Sequence, residues 1–197
     1  MTIAIAPGGP GSRPTWTSSA KDMVTTALGT SRVWVTLGYG ILNEVYWPAT
    51  GLPQIRDLGF IVAGPSEWFE VKRVNRYHVS MPDDWVPLPQ VAHEGDGYRL
   101  LIEVLPDPSR DVVLILYRLT GDNMNLYALL APHLSNGGEH NNARAAEDLT
   151  AWEGRDRTLP AERFRLFEIE RRIRGSFRRM AGFFQERAND LGIRRSH

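Results

Sequence analysis

The sequence predicts an all-β fold, an antiparallel sandwich followed by a C-terminal amphipathic α-helix. Three observations carry this expectation. Between Thr30 and Arg73, four short segments rich in Val, Ile and aromatics are separated by Gly, Pro and Asn, as antiparallel strands are. Similar short apolar runs continue as far as Leu130, with hardly any helical pattern before residue 140. From Pro160 onward, apolar residues instead recur every three or four positions.

Taken in order, residues 1–20 open with Gly-, Pro- and Ser-rich chain that predicts an extended arm. A strand is expected over Met23–Leu28. Arg32–Leu37 alternates, with Val33, Val35 and Leu37 on one face and Arg32, Trp34 and Thr36 on the other. Ile41–Trp47 and Leu58–Ala63 follow as strands, and Trp68–Val71 begins a longer one running towards Ser80. Residues 81–89, MPDDWVPLP, read as a loop with Trp85 pinned on the sheet. Tyr98–Leu105 and Val112–Leu119 form a hairpin joined by PDPSRD, where proline presets φ and Asp and Ser bond the backbone. VVLILY is continuous rather than alternating, which predicts a central strand buried on both faces. Gly121–Asn123 then turns into a strand at Leu126–Leu130, and SNGGEHNNARAAED reads as a polar loop. The closing helix, over Pro160–Asp190, has Thr158 as its cap and Gly192 at its end. Its stripe is Leu166, Ile169, Ile173, Phe177, Met180 and Phe184.

Apolar content of 42% and charged content of 23% in 197 residues describe a globular chain able to bury a core. The formal net charge is zero, so no global charge points to nucleic acid or membrane. Residues 160–197 hold ten Arg against five acidic residues, yet Glu162, Glu168, Glu170 and Glu186 interleave with them. That pattern predicts a solvated face laced with ion pairs. There are no cysteines, which excludes disulfides and thiolate metal sites. The N-terminus lacks a charged region followed by an apolar one, so no signal peptide is expected and a cytoplasmic location follows.

GILNEVYWP is the unusual stretch, because Asn43 and Glu44 interrupt an apolar run and Tyr46 and Trp47 precede a proline. A strand carboxylate needs a partner when buried. One reading pairs Glu44 or Asp57 with Arg56; the other has Glu44, Tyr46 and Trp47 presenting a polar, aromatic surface to a sugar or a neighbouring domain. Asn43, Glu44, Tyr46, Trp47, Arg56 and Asp57 are therefore the candidate binding or docking residues. Trp68 and Trp85 are further aromatic candidates. The histidines show no HxH or HExxH spacing, and His93–Glu94 reads as a hairpin surface rather than a zinc site. No GxSxG surrounds any serine, and Asp107–Asp111 lacks the spacing of a calcium loop.

SRVWVTLGYGILNEVYWP, then PQIRDLGFIV, then EVKR, with APGGPGSRPTW upstream and LYALLAPHLSNGGEHNNA downstream, occur in one order. This combination resembles the N-terminal domain of bacterial and archaeal glucoamylase and glucodextranase-type enzymes, glycoside hydrolases of family fifteen. The resemblance covers roughly residues 6–143. It implies a galactose mutarotase-like supersandwich over 21–143, set ahead of a catalytic barrel of helical hairpins. It also implies inverting hydrolysis of α-glucosidic bonds, with both catalytic carboxylates in that barrel. No catalytic residue, metal or cofactor is carried over to this chain. The implied partners are an α-glucan or a helical-barrel domain, and the implied role is structural and domain-docking. Residues 144–197, a loop and an Arg-rich tail, do not match the family. The alternatives are a free-standing carbohydrate-binding or protein-interaction module, or a truncated or frame-shifted gene product.

Overall fold

Trp34–Gly38 turns back on Ile41–Tyr46 through Tyr39 and Gly40, which have φ of 55° and 69°. Positive φ at both central residues makes the two-residue turn whose twist suits a hairpin. The computed structural model describes residues 4–5, 20–25, 27–82, 88–137, 139–145, 149–153 and 163–166. In chain order their strands begin with β1 (Ala4–Ile5), β2 (Met23–Val24), β3 (Trp34–Gly38), β4 (Ile41–Tyr46), β5 (Pro53–Ala63) and β6 (Trp68–Glu70). A single helical turn, α1 (Val71–Val74), precedes β7 (Tyr77–Ser80), β8 (Gln90–Gly95), β9 (Tyr98–Pro106), β10 (Val113–Thr120) and β11 (Asn125–Pro132). A 3-10 turn at Leu134–Asn136 leads to β12 (Asn141–Ala145), β13 (Leu149–Glu153) and β14 (Arg163–Leu166).

The strands make three antiparallel sheets, and the fold is an all-β sandwich. One sheet runs β11-β5-β4-β3-β2, with β6 also paired to β5; the second runs β10-β9-β8-β7 and the third β1-β12-β13-β14. Alternation decides which side chains meet. The first sheet buries Leu42, Leu58, Phe60 and Val62, and the second buries Val91, Leu100, Ile102 and Val104. Phe69 against Tyr98, with ring centroids 5.5 Å apart, joins the two sheets. Val71 of α1 is also fully buried, and Asn75, with φ of 53°, stops the turn after four residues.

Several expectations need correction. VVLILY is not central: β10 is the edge of its sheet, and none of Val113–Thr120 is buried. A continuous apolar run marks a strand apolar on two faces, which an edge strand can also be. The strand expected from Trp68 to Ser80 is interrupted by α1. The polar loop after Leu134 contains β12, whose register with β13 runs Asn141↔Glu153 to Ala145↔Leu149. This third sheet carries the structure past residue 143, where the sandwich was expected to end. Helix was expected from Pro160, but Arg163–Leu166 is strand β14. Its Arg-Phe-Arg-Leu order alternates, and β13 offers an edge to pair with. The rest of that expected helix lies outside the described residues, as do Trp85 and the N-terminal arm apart from Ala4–Ile5 and Ala20.

Candidate functional site

The six candidate residues lie on β4, β5 and the Trp47 position that follows β4, and three β-bulges arrange them. Thr36 pairs with Glu44 and Leu37 with Leu42, so Asn43 is the extra residue between. Asn43 is buried, and its Nδ2 donates to the Ala20 carbonyl at 3.1 Å. Gly38 makes room for it, because a Cβ there would stand 2.8 Å from Asn43 Nδ2. Val45 pairs with Ile55 and Tyr46 with Pro53, leaving Gln54 as the second bulge; Gln54 Nε2 donates to the Trp47 carbonyl at 2.7 Å. On the other edge of β5, Ala131 pairs with Asp57 and Pro132 with Ile55, so Arg56 is the third.

Glu44 does not pair with Arg56, contrary to one of the two expected pairings. Its carboxylate meets Lys21 at 2.9 Å, accepts the Tyr46 hydroxyl at 2.5 Å and the Thr36 hydroxyl at 3.4 Å. Lys21 comes from the segment before β2, which a reading of Gly40–Pro48 alone does not reach. Burial and the donated bond to Glu44 push the Tyr46 phenol well above its ordinary value, so it stays protonated and donating. Asp57 meets Lys72 of α1 at 3.1 Å and Arg56 at 3.6 Å.

Trp47 joins a separate cluster. Its indole Nε1 donates to Asp111 Oδ2 at 2.6 Å, and the Arg32 guanidinium lies 5.4 Å from its ring centroid. Arg32 closes the triangle on Asp111 through Nη2 at 2.6 Å, Nε at 3.2 Å and its backbone N–H at 2.7 Å. Desolvation pulls the Asp111 carboxyl up, but the Arg32 and Trp47 hydrogen bonds outweigh it and hold the group below its ordinary range. Asp107 is occupied likewise, capping its own turn through Ser109 and Arg110. The structure thus gathers Glu44 with Tyr46 and Arg56 with Asp57, and sends Trp47 elsewhere.

His93 is not on a hairpin surface. It is 1% exposed on the inner face of β8, and its Nε2 lies 2.6 Å from the Gly40 carbonyl. A carbonyl only accepts, so Nε2 carries the proton, and Nδ1 is left without a hydrogen-bond partner among the described residues. Burial lowers the His93 pKa. Two exposed residues of β11, Tyr127 at 55% and Leu129 at 40%, went unnoticed in the sequence. The signal was there: NLYALL is apolar on both faces, as a half-buried strand would not be.

A family model described as glucodextranase, domain N, matches residues 6–165. A glucoamylase from Clostridium sp. (strain G0005) is 30% identical in an alignment of 145 positions that covers 69% of this chain and 21% of that protein. The chain therefore spans about a fifth of the length of the curated relative it matches. The crystal structure of a bacterial glucoamylase complexed with acarbose aligns with a TM-score of 0.65 at 24% identity, over 77% of this chain and 27% of that one. That likeness extends to the fold.

Proposed function

Because the chain belongs to the glucodextranase domain N family, we propose that it is a docking sandwich of the α-glucan-hydrolysing machinery rather than its catalyst. One observation carries this reading. β10 and β11 are neighbours in the chain, each is the edge of its sheet, and neither contains a buried residue. Together they carry Val113, Leu114, Ile115, Leu116, Tyr117 and Leu119, then Leu126 and Leu130. Long apolar edges are ordinarily covered, because their unpaired backbone groups and side chains invite pairing. A helical-barrel domain of the family is the partner that suits this open side.

The carboxylates of the candidate cluster support the same reading. Glu44 is held by Lys21, Tyr46 and Thr36, and Asp57 by Lys72 and Arg56, so each side chain is tied into the fold. A glucose-release assay on maltose, starch and dextran tests the assignment. The purified chain should release nothing above blank. Release that disappears in Glu44→Gln or Asp57→Asn would overturn it.

A further inference from the structure

We propose that the outward face of β6, β5 and β11 is a shallow binding trough for a neutral glucan chain, gripped by Trp68 and Tyr127. Register puts its residues together. Trp68 pairs with Ala63, which pairs with Asn125; Glu70 pairs with Ile61, which pairs with Tyr127; Gly59 pairs with Leu129. Opposed residues in an antiparallel sheet share a face, and so do residues two apart in one strand. The opposite face holds Phe69, Val62 and Phe60 and packs on the second sheet, so the Trp68–Tyr127 face points away from the core.

The relief of this face is that of a trough. Its floor is Ile61 and Ala63 of β5, both half-buried, and it closes at Gly59, which is buried beneath Ile41; its walls are Trp68 on β6 and Tyr127 and Leu129 on β11. The walls stand two strand spacings apart, about 10 Å, and the two aromatics are staggered by two residues, about 7 Å along β5. Successive sugar units lying along β5 would meet first one ring and then the other.

Trp68 is 66% exposed and Tyr127 55%. Neither side chain makes a hydrogen bond, ion pair or ring contact among the described residues. Tyr46 and Trp47 differ on this point, since the hydroxyl of the first and the indole N–H of the second are already used inside the fold.

Charge and area select the occupant. Glu70 is paired to Arg73, and Asp57 at the end of the trough is paired to Lys72 and Arg56, so both carboxylates of this face are compensated among the described residues. That suits a polyhydroxylated neutral chain and offers nothing to an anion. The exposed parts of Trp68, Tyr127 and Leu129 amount to roughly 300 Å², counting about 150–250 Å² for a whole aromatic side chain. A stable protein interface takes about 800 Å² from each partner. The trough is large enough for two or three sugar rings and too small for a protein.

This inference rests on the family reading above, and the experiment separates the two. The full chain is titrated with maltohexaose and, separately, isomaltohexaose by calorimetry, with dichroism and thermal unfolding confirming the fold of each variant. Saturable binding near about 1 mM is expected for one of them, weakened about fivefold or more in Trp68→Ala and in Tyr127→Ala and largely kept in Trp68→Phe. Absence of saturable binding to either sugar, or binding unchanged in both alanine variants, overturns the trough. Self-association of the chain that Trp68→Ala abolishes also overturns it, by making the face a protein contact. Docking along the β10 and β11 edges and the absence of hydrolysis are read independently, so failure here leaves the proposed function standing.

Discussion

The Trp47 indole donates a 2.6 Å hydrogen bond to the Asp111 carboxylate, joining residues 64 apart in the chain. Arg32 binds the same carboxylate through its guanidinium and its backbone N–H. One Asp in the β9–β10 turn therefore ties the entrance of β3 to the exit of β4. The two main sheets are clasped at this end by a side chain that lies outside every strand.

Replacing Asp111 removes the acceptor of all these bonds at once. Asp111→Ala should destabilise the chain by about 1–2 kcal/mol, since the ion pair with Arg32 is solvent-exposed but the Trp47 bond is lost as well. Urea unfolding at neutral pH measures it. The depressed Asp111 pKa means its contribution is complete above the ordinary carboxylate range and lost as pH falls through the folded value. Wild type and variant should converge in acid.

Glu44 and Tyr46 offer a second test. Glu44→Ala leaves Lys21 and the Tyr46 hydroxyl without their shared acceptor in a half-buried place, and should cost about 1–3 kcal/mol. Tyr46→Phe should cost less, about 1 kcal/mol. The double variant should fall short of the sum, because both changes remove the same bond. Additive losses would show that the two side chains do not interact.

His93 sets the acid limit. Its pKa is lowered by burial from the ordinary 6.5, so the unfolded chain binds the proton more readily than the folded one. Stability is therefore full above pH 6.5 and declines as pH falls from there towards the folded value, by up to about 1.4 kcal/mol per pH unit. The groups facing His93 are the Gly40 carbonyl and the Tyr77 ring, whose own hydroxyl bonds Asp22. His133, also buried and lowered by burial and by nearby Arg56, adds to the same decline. Chemical unfolding between pH 7.5 and 5 should show this decline, and His93→Leu should lessen it to the share that His133 supplies. Gly40→Ala tests the same contact from the other side. A Cβ there would stand 2.3 Å from the His93 ring at a φ of 69°, a strained position for a side chain as well as a crowded one. A loss of about 2–4 kcal/mol is expected.

How much of this was legible follows from the kind of signal each residue carries. Strict alternation in Arg32–Leu37 and turn residues at Tyr39–Gly40 are local, and they located β3 and β4 to within a residue or two. The position of VVLILY depends on what pairs beside it, which is a long-range fact, so the same apolar run fits a sheet centre and a sheet edge. Asn141–Ala145 is polar and reads as a loop; it becomes a strand because β13 and β1 lie on either side. Lys21, the partner of Glu44, is distant from it in sequence, and no local pattern announces the pairing. Three bulges, at Asn43, Gln54 and Arg56, decide which way the candidate side chains face, and no periodicity announces a bulge.

The central claim is that the β10–β11 side is a docking edge. The direct measurement is amide hydrogen exchange on the full chain, alone and with the separately purified remainder of the Clostridium glucoamylase, lacking the stretch that aligns with this chain. Amides of Val113–Thr120 and Asn125–Pro132 that point away from β9 and β5 should exchange early in the free chain and slow markedly in the mixture. Tyr117→Lys, at a residue already 48% exposed, should abolish the slowing while leaving the melting temperature nearly unchanged. Unchanged exchange along both strands at a saturating amount of that remainder, or protection confined to Gly40–Pro48, would contradict the account.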